Sequence, residues 1–542
     1  MGAFVFLSIQ GLCVSCSFLL NYYNDDKLWS QECLVFARIS TVSFQGVDAA
    51  NVDVQVQISP GSVYFTLVGL PDKAIAESKE RVRSALIASG LALPAKRVTV
   101  NLAPADLPKE GSHYDLPIAL GLLVAMGALP AEAVEGFLVL GELSLDGSIS
   151  HVNGALPAAI AAVANGKGLI CPASCGSEAA WADENLKIMA AGSLVQLYRA
   201  LKGDITLSAP KPRSSPQAAS SLDLADIRGQ ETAKRALEIA AAGSHNLMMI
   251  GPPGSGKTLL ASRLPALLPP LSARELLEVS MIASISGELE DGALSNQRPF
   301  RAPHHSASMA SLVGGGIKAR PGEVSMAHNG VLFLDELPEF DSSVLDSLRQ
   351  PIENGVATIV RANYRVSYPS MVQVVAAMNP CRCGYAGEPG HTCRRGDKCA
   401  SSYQSRVSGP FLDRMDLQLH VPAVSARDLI SPHTSESSEV VAQRVARART
   451  IQQARYVSLG LDITVNAHAS ARTIEQIVAL DQGSKELIEQ ASIQFGLSAR
   501  GYHRVLKLSR TIADMDGSDS VQRIHLAEAL SFKRSSAYLA AA

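Results

Sequence analysis

The chain is predicted to be an α/β protein built around a nucleotide-binding sheet, with an α+β block before that core and a helical block after it. Three observations predict this. The glycine-rich stretch Gly251-Pro252-Pro253-Gly254-Ser255-Gly256-Lys257-Thr258 follows the apolar run Leu247-Met248-Met249-Ile250 and precedes a helical pattern. A second apolar run, Val331-Leu332-Phe333-Leu334, ends in the acids Asp335 and Glu336. Short strands and Ala-rich helices alternate ahead of this region, and helical periodicity dominates behind it. At 542 residues the chain is too long for one ordinary domain, and roughly 150 residues per domain suggests three or four. Hydrophobic residues at 47% and charged residues at 18% supply packed cores and exclude a disordered chain. The net charge of −3, from 48 basic and 51 acidic residues, excludes a bulk polycation. A nucleic-acid partner would therefore have to be held by local basic loops. Nine unevenly spaced cysteines do not form a disulfide framework and fit a reducing cytoplasm.

Residues 1–35 are expected to be a non-homologous leader, of the kind an upstream start site adds. Phe4 to Leu20 is apolar, but the first basic residue is Lys27, and the run falls short of the roughly 20 residues of a membrane span. Peripheral anchoring is the alternative, and Cys13 and Cys16 form a lone CxxC without a second pair. Organised structure should begin near Val35, and residues 36–202 should form the α+β block. Asp53–Ile58 alternates with the period of a half-buried strand. Ala74–Ser89 reads as a helix with Ile75, Val82, Leu86 and Ile87 on one side. Arg97–Leu102 is a strand, Leu116–Met126 an apolar helix, and Leu138–Leu140 a strand leading to the turn at Asp146-Gly147. Residues 203–222, with Pro210, Pro212 and Pro216 and no periodicity, read as a linker. Residues 223–422 form the nucleotide-binding block, and 423–542 a smaller helical one.

The phosphate loop needs its glycines so that backbone N–H groups can wrap phosphates at a helix N-terminus. Lys257 is expected to reach the β and γ phosphates, and Thr258 to hold Mg²⁺. Asp335, at a strand end, would orient the Mg²⁺ shell, while Glu336 would polarise an attacking water. The strand Val372–Met378 ends at Asn379-Pro380, a turn signal in itself, whose position after a third strand suits contact with the γ-phosphate or the water. Arg414, in Gly409-Pro410-Phe411-Leu412-Asp413-Arg414, is either an arginine finger acting on a neighbour's site or a structural ion pair. Arg500, opening a C-terminal helix, is either a γ-phosphate sensor or an ion pair.

Together these residues resemble the AAA+ ATPases, and within them the magnesium-chelatase-like branch of ComM/YifB competence type, over about residues 37–542. The resemblance is carried by Phe65-Thr66-Leu67-Val68-Gly69-Leu70-Pro71-Asp72, by Asn101 to Gly111, by Phe300-Arg301-Ala302-Pro303-His304-His305, by Asp335 to Phe340, and by Ser498 to His503. It implies a P-loop AAA+ core with a helical lid, preceded by an α+β Lon-protease-like (ribosomal S5 superfamily) domain. It further implies a homo-hexameric ring with ATP at subunit interfaces, Arg414 and Arg500 as finger and sensor, and Ile227 near the adenine. The implied activity is an ATP-driven motor on single-stranded or branched DNA, promoting branch migration in recombination and natural transformation, with recombination proteins as partners. Protein remodelling in the manner of magnesium-chelatase motor subunits is the alternative.

Two basic loops could grip DNA phosphates, or could be ordinary solvated loops. One runs from Gly314 to Arg320 with Lys318 and Arg320; the other is a hairpin over Val356–Tyr368, with Arg361 near its tip and Arg365 just after it. In the amino-terminal block His113 stands where Lon-type proteases place their serine, and Ser112 lies one residue early without a base at the expected offset, so peptidase activity is not expected. Cys381, Cys383, Cys393 and Cys399, with His391 nearby, form either a structural zinc site or a set of reduced thiols. Zinc there would stiffen the segment from Asn379 toward Arg414.

Overall fold

The computed structural model describes residues 35–541 apart from 70–71, 92, 215–221, 317–318, 361–364, 387–392, 394–397 and 426–434. Residues 1–34 of the expected leader, Lys318, Arg361 and His391 lie outside the described residues, and Val35, expected to end the leader, instead pairs with Ile58 as the first residue of a strand.

The amino-terminal sheet begins with a long antiparallel hairpin, β1 (Val35–Gln45) and β2 (Asp48–Ser59), whose alternation buries Val52, Val54, Val56 and Ile58 on one face. With β3 (Tyr64–Val68), β4 (Arg97–Ala103), β5 (Phe137–Val139), β6 (Gly168–Pro172) and β7 (Ile188–Ala191), it makes a seven-stranded mixed sheet ordered β3-β4-β2-β1-β5-β6-β7. Helix α1 (Lys73–Ala88) starts at Asp72, whose carboxylate accepts from Ile75 N–H at 2.8 Å. It buries Ile75, Val82 and Leu86, but Ile87, expected on the same side, is 59% exposed. Ile87 is only 100° from Leu86, enough to turn it off a narrow apolar stripe. Helix α2 (Asp115–Ala125) is apolar nearly all round because it lies inside the fold. It sits so close to β2 that a Cβ on Gly121 would come within 2.6 Å of Val56. Helices α3 (Ala155–Ala164) and α4 (Leu194–Leu201) complete this part.

The expected linker is not free along its whole length. Arg213–Ser214 pairs in parallel with Ala293–Leu294, and Trp181 Nε1 donates to the Arg213 carbonyl at 3.1 Å. Its proline content hid this pairing, because two-residue strands carry no periodicity.

The second sheet is five-stranded and parallel, ordered β9-β10-β13-β8-β14. Its strands are β8 (Leu247–Ile250), β9 (Phe300–Arg301), β10 (Val331–Leu334), β13 (Gln373–Met378) and β14 (Leu417–His420). Its central strands are continuous apolar runs because both faces are covered. Leu247, Met249, Phe333 and Val375 face the C-terminal helices, while Met248, Ile250, Leu332 and Leu334 face Phe340, Leu345 and Phe411. Helices α5 (Glu231–Gly243) and α6 (Lys257–Leu267) flank β8, and α7 (Ala273–Ser286) follows. A hairpin of β11 (Val356–Val360) and β12 (Arg365–Pro369) precedes β13. The C-terminal helices are α8 (Ser438–Ser458), α9 (Ala471–Ile477), α10 (Gln482–Phe495), α11 (Ala499–Met515) and α12 (Arg523–Ala541). Within them the buried Asp514 carboxylate accepts from Arg510, Arg455 and Asn466.

The amino-terminal part meets the nucleotide-binding part at defined places. Gly154 N–H donates to the Ser284 carbonyl at 3.2 Å, and the Ser284 hydroxyl donates to Glu178. The β1–β2 turn presses on β12, where a Cβ at Gly46 would lie 2.6 Å from the Ser367 carbonyl. Among the described residues no helix is long and apolar enough to cross a membrane.

Candidate functional site

Register in the parallel sheet builds the site. Ile250 pairs with Met378 and Leu334 with Ala376, so Gly251, Asp335 and Asn379 emerge together at the carboxyl edge of three adjacent strands. This is the edge where open α/β sheets bind ligands. Gly251 turns under β14 with no room for a side chain, since a Cβ there would lie 2.0 Å from the Val421 carbonyl oxygen. Gly254 and Gly256 adopt φ of +77° and +90° with open space beside them. Helix α6 opens at Lys257, so the N–H groups of its first turn have no helical carbonyl to donate to.

Lys257 is buried, with its ammonium donating to the carbonyls of Gly251 and Pro252 at 2.8 Å each and to Asn379 Oδ1 at 3.3 Å. Burial lowers its pKa, against the opposing pull of Asp335 and Glu336. Thr258 Oγ1 donates to Asp335 Oδ2 at 2.8 Å, and the other Asp335 oxygen accepts from the Glu336 N–H at 2.8 Å. Glu336 has φ +50° and ψ +47°, a left-handed conformation that costs a non-glycine residue about 1–3 kcal/mol and recurs at functional sites. Its side chain is half exposed, with His305 Nδ1 3.5 Å from one carboxylate oxygen. His305 lay inside a string carrying the family resemblance, but sequence reasoning gave it no role; contact across 31 positions left no periodic trace. Ile227 is buried, and the neighbouring Gln230 amide donates to the Pro422 carbonyl at 2.7 Å, tying this segment to the strand beside the phosphate loop.

The residues present fit a nucleotide and Mg²⁺. Open, glycine-lined backbone at a helix start suits phosphate, and a hydroxyl and a carboxylate already in contact are the hard oxygen donors that Mg²⁺ takes.

Arg414 and Arg500 lie together. Arg414 is 9% exposed and donates to the carbonyls of Pro410 at 2.7 Å and Arg349 at 3.2 Å. It also pairs with one oxygen of Glu353, whose other oxygen lies 3.3 Å from Arg500. Arg414, Arg500, Glu353, Arg504 and Lys507 line a cavity of about 540 Å³. Among the described residues neither arginine makes a hydrogen bond or ion pair to the phosphate loop, and Glu353 was not recognised from sequence.

Arg320 and Arg365 are exposed at the rim of a second cavity, of about 530 Å³, shared with Ser112, His113 and Glu142 of the amino-terminal part. There Ser112 donates to Glu142, a partner 30 residues on that sequence reading did not find. His113 is buried with Nε2 2.9 Å from the Val42 carbonyl, and burial pushes its pKa down to about 4. The Lys109 ammonium is occupied by the Pro104 carbonyl.

A parallel sheet with a phosphate loop, an acidic strand end and a third-strand asparagine defines the core of the AAA+ class. Family models agree: "Magnesium chelatase, subunit ChlI" matches residues 223–429, "Subunit ChlI of Mg-chelatase" 54–175, and "Magnesium chelatase, subunit ChlI C-terminal" 435–533. The chain is 44% identical over 508 residues to competence protein ComM of Haemophilus influenzae, covering 92% of this chain and 97% of that one. It is 44% identical over 503 residues to YifB of Escherichia coli, covering 91% and 96%. To the magnesium-chelatase 67 kDa subunit of Heliobacterium mobile it is 27% identical over 261 residues, 42% of this chain and 38% of that one. The chain belongs to the magnesium-chelatase-like AAA+ family, of the ComM and YifB type.

Proposed function

We propose that this protein is an ATP-hydrolysing motor that assembles as a ring, hexameric in the family's manner, and moves single-stranded or branched DNA during recombination and the uptake of transforming DNA. The observation that carries the ATPase half is the pair of hydrogen bonds Lys257–Asn379 and Thr258–Asp335, which draw three strand ends onto one point. In this reading backbone N–H groups from Gly254 to Thr258 cradle the phosphates, and Lys257 leaves its carbonyl partners to neutralise them. Thr258 and Asp335 would hold Mg²⁺, which would supply neutralising charge to the phosphates. Glu336 takes the proton of the attacking water, with His305 orienting its carboxylate, and Asn379 positions that water. Ile227 backs the adenine. Arg414 and Arg500, placed side by side on Glu353, serve a neighbour's site, in keeping with their making no hydrogen bond or ion pair to their own loop among the described residues.

The chain divides in this reading into a leader to 35, an amino-terminal Lon-protease-like module of the ribosomal S5 superfamily (36–202), a linker (203–222), the AAA+ core (223–422) and a helical lid (423–542). The Lys109 ammonium, taken up by the Pro104 carbonyl, supports a module without peptidase chemistry. Lys318, Arg320, Arg361 and Arg365 grip phosphates without reading bases. The competence role rests on likeness to the Haemophilus influenzae protein. Likeness to magnesium-chelatase subunits favours protein remodelling as the second reading. ATP hydrolysis measured without DNA, and with single strands, duplex and a four-way junction, decides between them. Stimulation by single-stranded or junction DNA, absent in Glu336→Gln, supports the motor; turnover indifferent to every DNA supports remodelling.

A further inference from the structure

Four cysteine sulfurs converge on a segment to which the ATPase reading gives no chemistry. The Sγ atoms of Cys381, Cys393 and Cys399 all lie within 4.8 Å of one another. Cys383 Sγ is 2.9 Å from that of Cys381 and 3.2 Å from that of Cys393. Buried thiols of an ordinary core are dispersed among large apolar side chains. Here the apolar neighbours among the described residues are the other thiols and the small residues Ala386 and Ala400. Four sulfurs at Zn–S bonds of about 2.3 Å stand about 3.8 Å apart, a spacing these side chains reach by small rotations. An all-thiolate donor set selects a soft or borderline ion such as Zn²⁺ over Mg²⁺ or Ca²⁺.

The place of the cluster gives it a consequence. Cys381 follows Asn379 by two residues, and Asn379 Oδ1 accepts from Lys257. Gly384, in the tight turn closed by its N–H to the Cys381 carbonyl at 2.9 Å, lies against the phosphate loop, where a Cβ on it would come within 2.6 Å of the Pro253 ring. On the far side the Gln404 amide donates to the Pro380 carbonyl at 2.8 Å from the helix Lys398–Gln404 that carries Cys399. The segment 379–384 is thus held between the thiol cluster and the loop expected to take phosphate.

We propose that Cys381, Cys383, Cys393 and Cys399 bind a structural zinc ion, and that the ion holds segment 379–384 against the phosphate loop, so that metal occupancy sets how well the loop binds nucleotide. The metal half stands on the cysteines alone; the second half rests on the ATPase reading. Binding releases the thiol protons to solvent and changes no oxidation state.

The full chain, purified under reducing conditions in metal-depleted buffer, should carry about one zinc by elemental mass spectrometry. Cys381→Ser with Cys399→Ser should lose it, while Cys171→Ser, at a buried thiol elsewhere, should keep it. Zinc retained in the double variant, an adventitious ion only, overturns the site, as does a zinc-free wild type whose four thiols react freely with a thiol reagent. Because the double variant can misfold, the coupling is read on the otherwise wild-type chain carrying Glu336→Gln, stripped by a chelator and refilled with Zn²⁺, with circular dichroism following the fold. Affinity for a fluorescent ATP analogue should fall about tenfold on stripping and return on refilling. Unchanged affinity overturns the coupling. A zinc-loaded chain that binds no ATP brings down the ATPase reading and leaves the metal site standing.

Discussion

Substitution of Gly251 by alanine tests whether the phosphate loop owes its shape to strand packing. The added Cβ would stand 2.0 Å from the Val421 carbonyl oxygen and 3.0 Å from its carbon. Relief to an ordinary contact needs about 1.2 Å of movement. That carbonyl belongs to backbone, and its residue is anchored by Val421 N–H to the Ile250 carbonyl at 2.7 Å. The strand end or the loop must therefore give way, at the 1–3 kcal/mol typical of overpacking. The Gly251 carbonyl also accepts from Lys257, so its movement displaces the lysine. The expected result is a melting transition lowered by roughly 5 °C, with affinity for a fluorescent ATP analogue reduced at least about tenfold. Gly254→Ala is the internal comparison: φ is +77° but nothing lies within 4 Å of the new Cβ, so only conformational strain of about 1–2 kcal/mol remains. Differential scanning fluorimetry should rank Gly251→Ala as the more damaging. A Gly251→Ala protein that melts and binds as wild type, or the reverse ranking, refutes the reasoning.

Arg414→Ala and Arg500→Ala should leave nucleotide binding within a few-fold of wild type yet lower turnover, by about 10³-fold for the finger. Mixing either with Lys257→Ala subunits should restore part of the hydrolysis, and no recovery contradicts action on a neighbour's site. Asp514→Ala strands the guanidiniums of Arg510 and Arg455 and should cost about 3–5 kcal/mol in chemical denaturation; a loss below 1 kcal/mol would show that the network is not holding the helices. His113 sets a pH dependence: its pKa is pushed from 6.5 to about 4 by burial. The unfolded chain binds the proton more readily between those values, so stability is full above pH 6.5 and falls as pH drops toward 4, by up to about 3 kcal/mol. His113→Gln should flatten that part of the stability–pH curve.

Much of the candidate site was legible because its chemistry is local in sequence. The phosphate loop, Asp335-Glu336 and Asn379 each follow a strand whose apolar run marks it, and the parallel register then brings them out at the same edge of the sheet. The half-buried strands of the amino-terminal sheet were legible through their period of two, whereas Ile87 was misplaced because a single helical position is ambiguous within a narrow stripe. What sequence did not disclose are pairings between distant segments. Glu353 joins Arg414 to Arg500 across 61 and 147 positions, and His305 meets Glu336 across 31. The seat of Gly384 on Pro253 and of Gly46 on Ser367 likewise depends on packing, which leaves only a glycine as its trace.

The central claim, ATP-driven movement of branched DNA, is met most directly by a single assay. A fluorescently labelled mobile four-way junction is incubated with the purified chain, with and without ATP, beside Glu336→Gln. The account predicts that the wild type converts the junction to duplex products only with ATP, while Glu336→Gln binds the junction and leaves it intact. An intact junction under conditions where the wild type demonstrably hydrolyses ATP would contradict it.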